Sequence, residues 1–405
     1  MNLSMYASFN TNIALQETQI NTLEQQIASG VSVTTPDQGP AAYETATLGN
    51  DQISAITSES NTQASIQSQL GSVNSAYQST SSVLDNVQSI IEQALNGTES
   101  AQNLQSLSSQ VTSASQQLVA LGNTQGANGS YVFGGSRGTI APFQPGTGNS
   151  VVYMGDGGQS QANVTPDTTA STIANGTVFM SGLNGNGFAS TASSSTNTGS
   201  AVLISEGAAS PAAAAAFQAS PASAAVTLNF ATAPATGSLT YTTTQNGVTS
   251  AAVPATSGMA LQVGGVDYQL SGTPANGDSF TVSPSRPQSV FSLLQNLATT
   301  LSQTGGGVAQ QAQTRQQLND DLSSLVQYQQ SVTTAQAQNG VTLQAVNHAS
   351  TSNSNQSTSL QAAVQNAVGV NTATAYTTLN ETVTAVQAAM KAFSSAQSLS
   401  LFNYL

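Results

Sequence analysis

Few residues in this sequence have the types and spacing that chemistry needs. His348, in AVNHAST, is the single histidine, and there is no cysteine. Metal ligation by imidazole or thiolate needs several such groups together, so His348 reads as a polar surface residue. Asp320 and Asp321 are adjacent carboxylates. They fall inside an amphipathic helical pattern, where a solvated helix face is the ordinary reading. GGSRG around Arg137 lacks the Gly-Lys-Ser/Thr of a phosphate-binding loop. Asp156 in YMGDGG and Asp278 in GDSF sit beside glycines, the composition of tight turns; a cation at Asp156 would be held weakly. Neither Gly-x-Ser-x-Gly nor His-Glu-x-x-His occurs. The sequence therefore offers no catalytic, cofactor-binding or metal-binding residue, and it does not read as an enzyme.

Composition narrows the field further. Charged residues make up 5% of the 405, with four basic and seventeen acidic side chains and a net charge of -13. A nucleic-acid binder needs basic patches for counterion release, which four cations cannot build. An anionic membrane surface would repel the chain. No apolar run is long enough to span a bilayer, so no membrane insertion is expected. The start, MNLSMYASFNTNIALQ, lacks the basic and apolar regions of a cleaved signal peptide. The chain is expected to stay inside the cell or to leave by a route without such a signal. A surface of Ser, Thr, Asn and Gln changes little as pH falls, which predicts a protein suited to an acidic medium. Arg137, Arg286, Arg315 and Lys391 are the four cations. Surface solubility is favoured for them over pairing between subunits.

The elements that must position everything else are helical at both ends. Tyr6, Ile13, Ile20 and Ile27 are seven apart, with Phe9 and Leu23 in the alternate seam and Gln16 interrupting it. That is a heptad pattern. It stops at SGVSVTTPDQGPAA, with Gly30 placed to end one helix and Pro40 to open the next. Ile56, Leu70, Tyr77, Leu84 and Ile91 share a second seven-residue frame, in which Gln63 fills a polar slot. A helix over 53–95 would be ~65 Å long, which implies a rod. A third helical run covers Leu104 to Leu121. Between about 126 and 285, short β-branched runs and Asn-Gly pairs read as strands and hairpins. The stretch ASPAAAAAFQASPASAA, 209–225, reads as a low-complexity linker or loop. Helical spacing returns at 290–303, runs on from Leu318, and is cleanest over Tyr376, Leu379, Val383, Val386, Met390 and Phe393.

The sequence thus predicts an α+β fold. Its N- and C-terminal helices pair in a long coiled-coil-like bundle, with a β-rich domain inserted between them. The expected boundaries are 1–125, 126–289 and 290–405. The predicted assembly seam is Phe9, Ile13, Ile20, Leu23, Ile27, Leu379, Val383, Val386, Met390, Phe393, Leu401 and Phe402. Seams with so few large side chains gain little without a partner surface, so the ends are expected to finish folding against other subunits. GSYVFGGSRGTIAPF, 129–143, concentrates aromatics in a chain poor in them. Tyr131 and Phe133 on one face of a short strand, Gly134 and Gly135 in a tight turn, and Phe143 returning to the same place would anchor the β domain on the helices. Ordinary core aromatics of the β domain are the alternative.

Four motifs carry a resemblance that spans nearly the whole chain in order. They are LEQQIASGVSVTTPDQGPAA at 23–42, GSYVFGGSRGTIAPF, LQVGGVDYQLSGTPANGDSFTVSPS at 261–285, and VQAAMKAFSSAQSLSLFNYL at 386–405. With them the chain resembles the flagellar hook-associated protein 3 family, FlgL-type proteins of the flagellin-like group that join hook to filament. The resemblance implies a structural component of the flagellum, outside the cell, exported unfolded without a cleaved signal. It implies a homo-oligomeric ring, an adjacent hook-associated protein on the hook side, flagellin on the filament side, and an export chaperone. The chain departs from the family's pattern at Val31-Ser32, where basic residues are usual, and at Gln38-Gly39, Gly369, Val370 and Asn371, where acidic ones are. Alternatives are flagellin itself, or a secreted β-rich adhesin with coiled-coil flanks.

Overall fold

Helix starts and stops follow from single residues. In the computed structural model, residues 3–402 are described, apart from 97–98, 148–149, 159–160, 166–167, 172–173, 175 and 304–305. Helix α1 (Leu3–Ser29) ends where Gly30 takes φ +71, the left-handed turn that glycine adopts without strain. Pro40 stands at the first position of α2 (Pro40–Leu95), where its missing N–H has no partner to lose. The second heptad frame is buried through Ile56, Leu70, Tyr77, Leu84 and Ile91, and its polar member Gln63 is buried with it. Helix α3 (Ala101–Gly122) is capped by Ser100, whose hydroxyl accepts from the Asn103 N–H.

Beyond α3 the chain folds as antiparallel strands with short helices between. Strands β1 (Phe143–Pro145) and β2 (Val151–Tyr153) pair, as do β3 (Gln161–Thr165) and β4 (Thr168–Ser171). Helix α4 (Thr177–Met180) and strand β5 (Gly182–Leu183) lead to β6 (Ala189–Ser193) and β7 (Val202–Ala208). After α5 (Pro211–Ala219) come β8 (Val226–Thr232), β9 (Leu239–Gln245), β10 (Val248–Thr249) and β11 (Val253–Pro254). The last strands are β12 (Ala260–Val263), β13 (Val266–Ser271), β14 (Ser279–Pro284) and β15 (Pro287–Gln288). One sheet runs β10-β9-β8-β14-β6, with β11 also on β9; a second runs β12-β13-β7; and β15 pairs with β5. Asn246 and Gly247, both at positive φ, make the two-residue turn joining β9 to β10, as an Asn-Gly pair should. Alternation along β13 and β14 puts Val266, Tyr268, Leu270, Phe280 and Val282 into one core with Leu203, Leu228 and Phe230.

The stretch over 209–225 is not a linker. Ser210 caps α5, Pro211 opens it, and five alanines follow, the strongest helix formers there are. Ala214 and Phe217 are buried in the core between the sheets. Low complexity here is helix propensity plus one apolar face. Arg286 donates from its guanidinium to the carbonyls of Gln218 and Ser220 at the end of this helix. It is thus a helix-capping cation rather than a solubilising one.

The chain returns through α6 (Val290–Ser302), α7 (Val308–Val368) and α8 (Thr372–Phe402). Among the described residues no helix is long and apolar enough to cross a membrane. The chain divides into two compact units, residues 1–61 with 348–405, and residues 62–347. Helices α2 and α7 each run through the division. In the larger unit, α2, α3, α6 and α7 share one core built on Leu84, Ile91, Leu118, Leu294, Leu297 and Leu325.

Where α2 faces α7, neutral amides take the place of ion pairs. In residues 62–347, Gln329 donates to Asp85 and Gln88 at 2.9 Å each, and Asn339 to the Leu70 carbonyl at 3.0 Å. Gln67 donates to Asn347 at 2.9 Å. In the smaller unit, Asn353 donates to Glu59 at 3.0 Å. The Gln- and Asn-rich sequence of α7 is thus a hydrogen-bonding seam.

Candidate assembly surface and domain anchor

In the smaller unit α1 packs against α8, and Phe9 and Phe393 of the predicted seam meet across them. Phe9, Ile13, Ile20, Leu23 and Ile27 line one half-buried face of α1; Leu379, Val383 and Phe393 are half-buried on α8, and Val386 is buried. Phe9 and Phe393 stack with ring centroids 4.0 Å apart, and Tyr6 lies 5.8 Å from Phe393. Met390 points away, 50% exposed. Met5, Leu15, Leu48 and Tyr376 are exposed as well. The side chains of Leu401 and Phe402 lie outside the described residues.

The turns between helices clasp one another by backbone. The Ser32 N–H donates to the Val368 carbonyl at 2.6 Å, and the Val370 N–H to the Gly30 carbonyl at 3.0 Å. Val31 and Gly369 form the bridge between them. The Ser32 hydroxyl also donates to the Val368 carbonyl, and Gln26 donates to the Ser32 carbonyl. Uncharged residues close the clasp here with main-chain bonds, which do not depend on pH or salt.

The predicted anchor lies in the larger unit, and the structure rearranges its membership. Tyr131 and Phe133 are not on a strand: Tyr131 forms a single bridge to Gln125, and turns follow. The alternation of a strand therefore does not apply, and Tyr131 is half-exposed while Val132 and Phe133 are both buried. Phe133 and Phe143 enter an aromatic cluster whose other members the sequence reading missed. Phe179 meets both at 5.3 Å in edge-on geometry. Tyr77 of α2 lies 5.4 Å from Phe133, and Phe291 of α6 lies 5.4 Å from Phe143. Such pairs contribute ~0.5–1.5 kcal/mol each beyond area burial. The cluster belongs to the helical core, so the crossing loop and the helices share one packed interior.

Polar groups fix its backbone. Asn123, just past α3, donates to the Phe143 carbonyl at 2.7 Å and accepts from the Phe143 N–H at 2.9 Å. The Tyr153 hydroxyl lies 2.9 Å from the Phe133 carbonyl and accepts from the Gly176 N–H at 2.9 Å. Gly134 accepts from the Asp156 N–H, and Gly135 turns at φ +65, where an added Cβ would sit 2.3 Å from the Asp156 carbonyl oxygen. Asp156 is a turn residue, as its glycine neighbours indicated. It accepts from the Ser136 N–H, the Ser136 hydroxyl and the Gly158 N–H. The Ser136 donors hold its carboxyl below the ordinary range, with Arg137 a lesser influence. Asp278 likewise accepts from the N–H groups of Thr198, Gly199 and Ala275.

A second anchor runs along α7. Gln313, Gln316, Asp320 and Ser324 follow one another at helical spacing and bond the β-rich part. Gln316 exchanges hydrogen bonds with both main-chain groups of Leu203, and Asp320 accepts from the Thr191 N–H at 2.7 Å. The Ser324 hydroxyl accepts from the Gly185 N–H at 2.7 Å, and Gln313 reaches the carbonyls of Ser195 and Asn197. This overturns the solvated-face reading of Asp320 and Asp321: Asp321 is 2% exposed. The 3.6-residue spacing of these polar groups was the available signal, but a polar stripe on a helix looks the same whether it faces water or main chain.

Two long-helix ends that pair, with an antiparallel β region carried between them, are the architecture of the flagellar hook-associated proteins. Within that class the chain has the fold of hook-associated protein 3. It matches the crystal structure of flagellar hook-associated protein 3 from Legionella pneumophila with a TM-score of 0.72 at 25% identity, over 79% of this chain and 98% of that one. The flagellar junction protein FlgL of Legionella pneumophila matches with a TM-score of 0.67 at 25% identity, over 74% and 98%. FlgL of Xanthomonas campestris matches with a TM-score of 0.64 at 26% identity, over 73% and 94%. No family model and no curated protein matches the sequence. The resemblance carried by the four sequence motifs is therefore met by the fold.

Proposed function

We infer that the chain is a structural subunit of the bacterial flagellum, placed at the junction between hook and filament. The observation that carries this reading is the match in fold to hook-associated protein 3 along nearly the whole of that protein. In this reading the chain works outside the cell, exported unfolded without a cleaved signal, with an export chaperone to hold it. Copies form a ring, contacting a hook-associated protein on one side and flagellin on the other. The paired ends α1 and α8 supply the assembly seam, with Met5, Leu15, Tyr376 and Met390 among the exposed apolar side chains that meet neighbours. Contacts of that kind between successive layers are heterologous, the geometry of a helical stack. The aromatic cluster and the α7 stripe set the angle at which the β region is carried. Deleting the gene tests the reading: hooks without filaments and free flagellin in the medium are expected. Growth of purified chain into long filaments would instead point to a filament subunit.

A further inference from the structure

The stripe of α7 against the β-rich part holds one carboxyl group, Asp320, and no cation; Asp321 follows it on the same helix and is buried. Asp320 accepts from the Thr191 N–H at 2.7 Å and faces the Thr191 hydroxyl at 3.2 Å. Asp321 accepts from Gln317 at 2.9 Å through one oxygen, and its other oxygen is buried with no donor. The buried Tyr268 hydroxyl, whose ionisation Asp320 opposes, also lacks a partner. The surrounding elements supply no compensating charge. Helices α3 and α6 and strand β6 carry no ionisable side chain. Strand β7 has the exposed Glu206, β13 has Asp267 and Tyr268, and α2 has the exposed Asp85 and Glu92. On α7 itself Arg315 is exposed, and Arg286 is turned to the carbonyls of α5.

We propose that Asp321, beside Asp320 of the stripe, makes a proton-dependent joint of α7, in which the helix packs within residues 62–347 with Asp321 neutral and the packing tightens as the medium turns acidic. A neutral carboxylic acid tolerates an oxygen without a donor. A carboxylate there loses hydration that nothing replaces. Burial accordingly pushes Asp320 up to about 6 and Asp321 up to about 8. Unfolded, both titrate near ~4. Between those limits the folded chain holds more protons than the unfolded chain. Stability is therefore greatest below ~4 and falls as pH rises through the two folded values. Ordinary proteins respond in the opposite sense in acid, because their ion-paired carboxylates must be protonated to unfold. With 5% charged residues, few other groups mask the response. The inference is independent of the flagellar reading, because it concerns the isolated folded chain.

Denaturant unfolding of the full chain between about pH 4 and about pH 8.5, with an infrared spectrum of the folded protein near neutral pH, tests it. The folded-to-unfolded ratio of the main transition is expected to rise up to ~10-fold per pH unit of acidification for each proton retained. Asp321→Asn, which imitates the neutral acid, should flatten that profile and raise the midpoint at alkaline pH. Wild-type protein should show a protonated carboxyl band near neutral pH that Asp321→Asn weakens. A midpoint that is flat or falls on acidification would overturn the proposal. If Asp321→Asn fails to fold, the wild-type spectrum decides: without a protonated carboxyl band the joint does not exist.

Discussion

Leu84 on α2 and Ile20 on α1 hold equivalent places in heptad frames, yet Leu84 is 1% exposed and Ile20 is only half-buried. The difference lies in what surrounds them. Leu84 belongs to a core where α2, α3, α6 and α7 close on one another, whereas Ile20 lies on a helix packed against α8. Among the described apolar residues of the smaller unit, only Ala46, Ile56, Val368, Ala375 and Val386 are buried. Both large apolar clusters fall within residues 62–347. Heptad spacing states which face of a helix is apolar; the number of neighbours decides how much of that face leaves water, at ~25 cal/mol per Å². In the proposed reading, where the ends join other copies, this contrast is expected: the larger unit has its own core and the smaller one is thin by itself.

The largest effect expected on that contrast comes from Phe143, which is 1% exposed at the centre of the aromatic cluster. Phe143→Ala should remove ~3–5 kcal/mol from the unfolding free energy of residues 62–347, since its neighbours cannot collapse into so large a cavity. Urea unfolding measures it; a loss below ~1 kcal/mol would mean that the cluster is not the anchor argued here. Phe393→Ala is the counterpart in the smaller unit. Half-buried and stacked on Phe9, it should cost the isolated chain about 1 kcal/mol. In the proposed reading it should nonetheless abolish joining of copies, so pelleting with flagellar parts should fail while the melt barely moves. A large loss of monomer stability would erase the distinction between the two units.

Gly30→Ala sharpens the same comparison at the clasp. Nothing lies within 4 Å of the position a Cβ would take, so only the φ of +71 opposes the change. A cost of about 1 kcal/mol is expected, confined to the ends. Hydrogen exchange should accelerate at Ser32 and Val370 and not at Leu203.

The heptad frames, the strands and the paired ends were legible because apolar period and helix punctuation are local properties of the chain. Pro40, Gly30 and the Asn246-Gly247 turn lie where those rules place them. What stayed hidden depended on distant partners. Alanine-rich sequence reads as linker until the sheets provide a home for Phe217. Tyr131 and Phe133 look alike in sequence, and only the turns after Tyr131 leave its ring half-exposed. Asp320 and Asp321 fit a solvated face by composition, and nothing local announces that Thr191, 129 residues earlier, will donate to one of them. Of the anchor, Phe133 and Phe143 could be read, whereas Phe179, Phe291, Asn123 and Tyr153 could not, because their relation to it is spatial.

The smallest expected effect bears on what fastens the crossing loop. Arg137 and Asp156 make an ion pair with 3.9 Å between Nε and Oδ2, and the Arg137 side chain is 59% exposed. A charge pair in that setting is screened by water and salt and contributes little. Asp156 also accepts from two groups of Ser136 and from Gly158, and those donors survive loss of the cation. Arg137→Gln should therefore leave the melting midpoint unchanged, and the Asp156 carboxyl should still titrate below its ordinary range in a carbon-detected NMR titration. Asp156→Ala frees all three donors and should loosen the loop. A carboxyl with a lowered pKa contributes stability above its unfolded value and loses it in acid, the reverse of Asp321. Acid therefore works against the crossing loop while it tightens the α7 joint. Were Arg137→Gln to match Asp156→Ala in effect, the loop would be held by charge, and the neutral character argued for this molecule would fail at its one described ion pair.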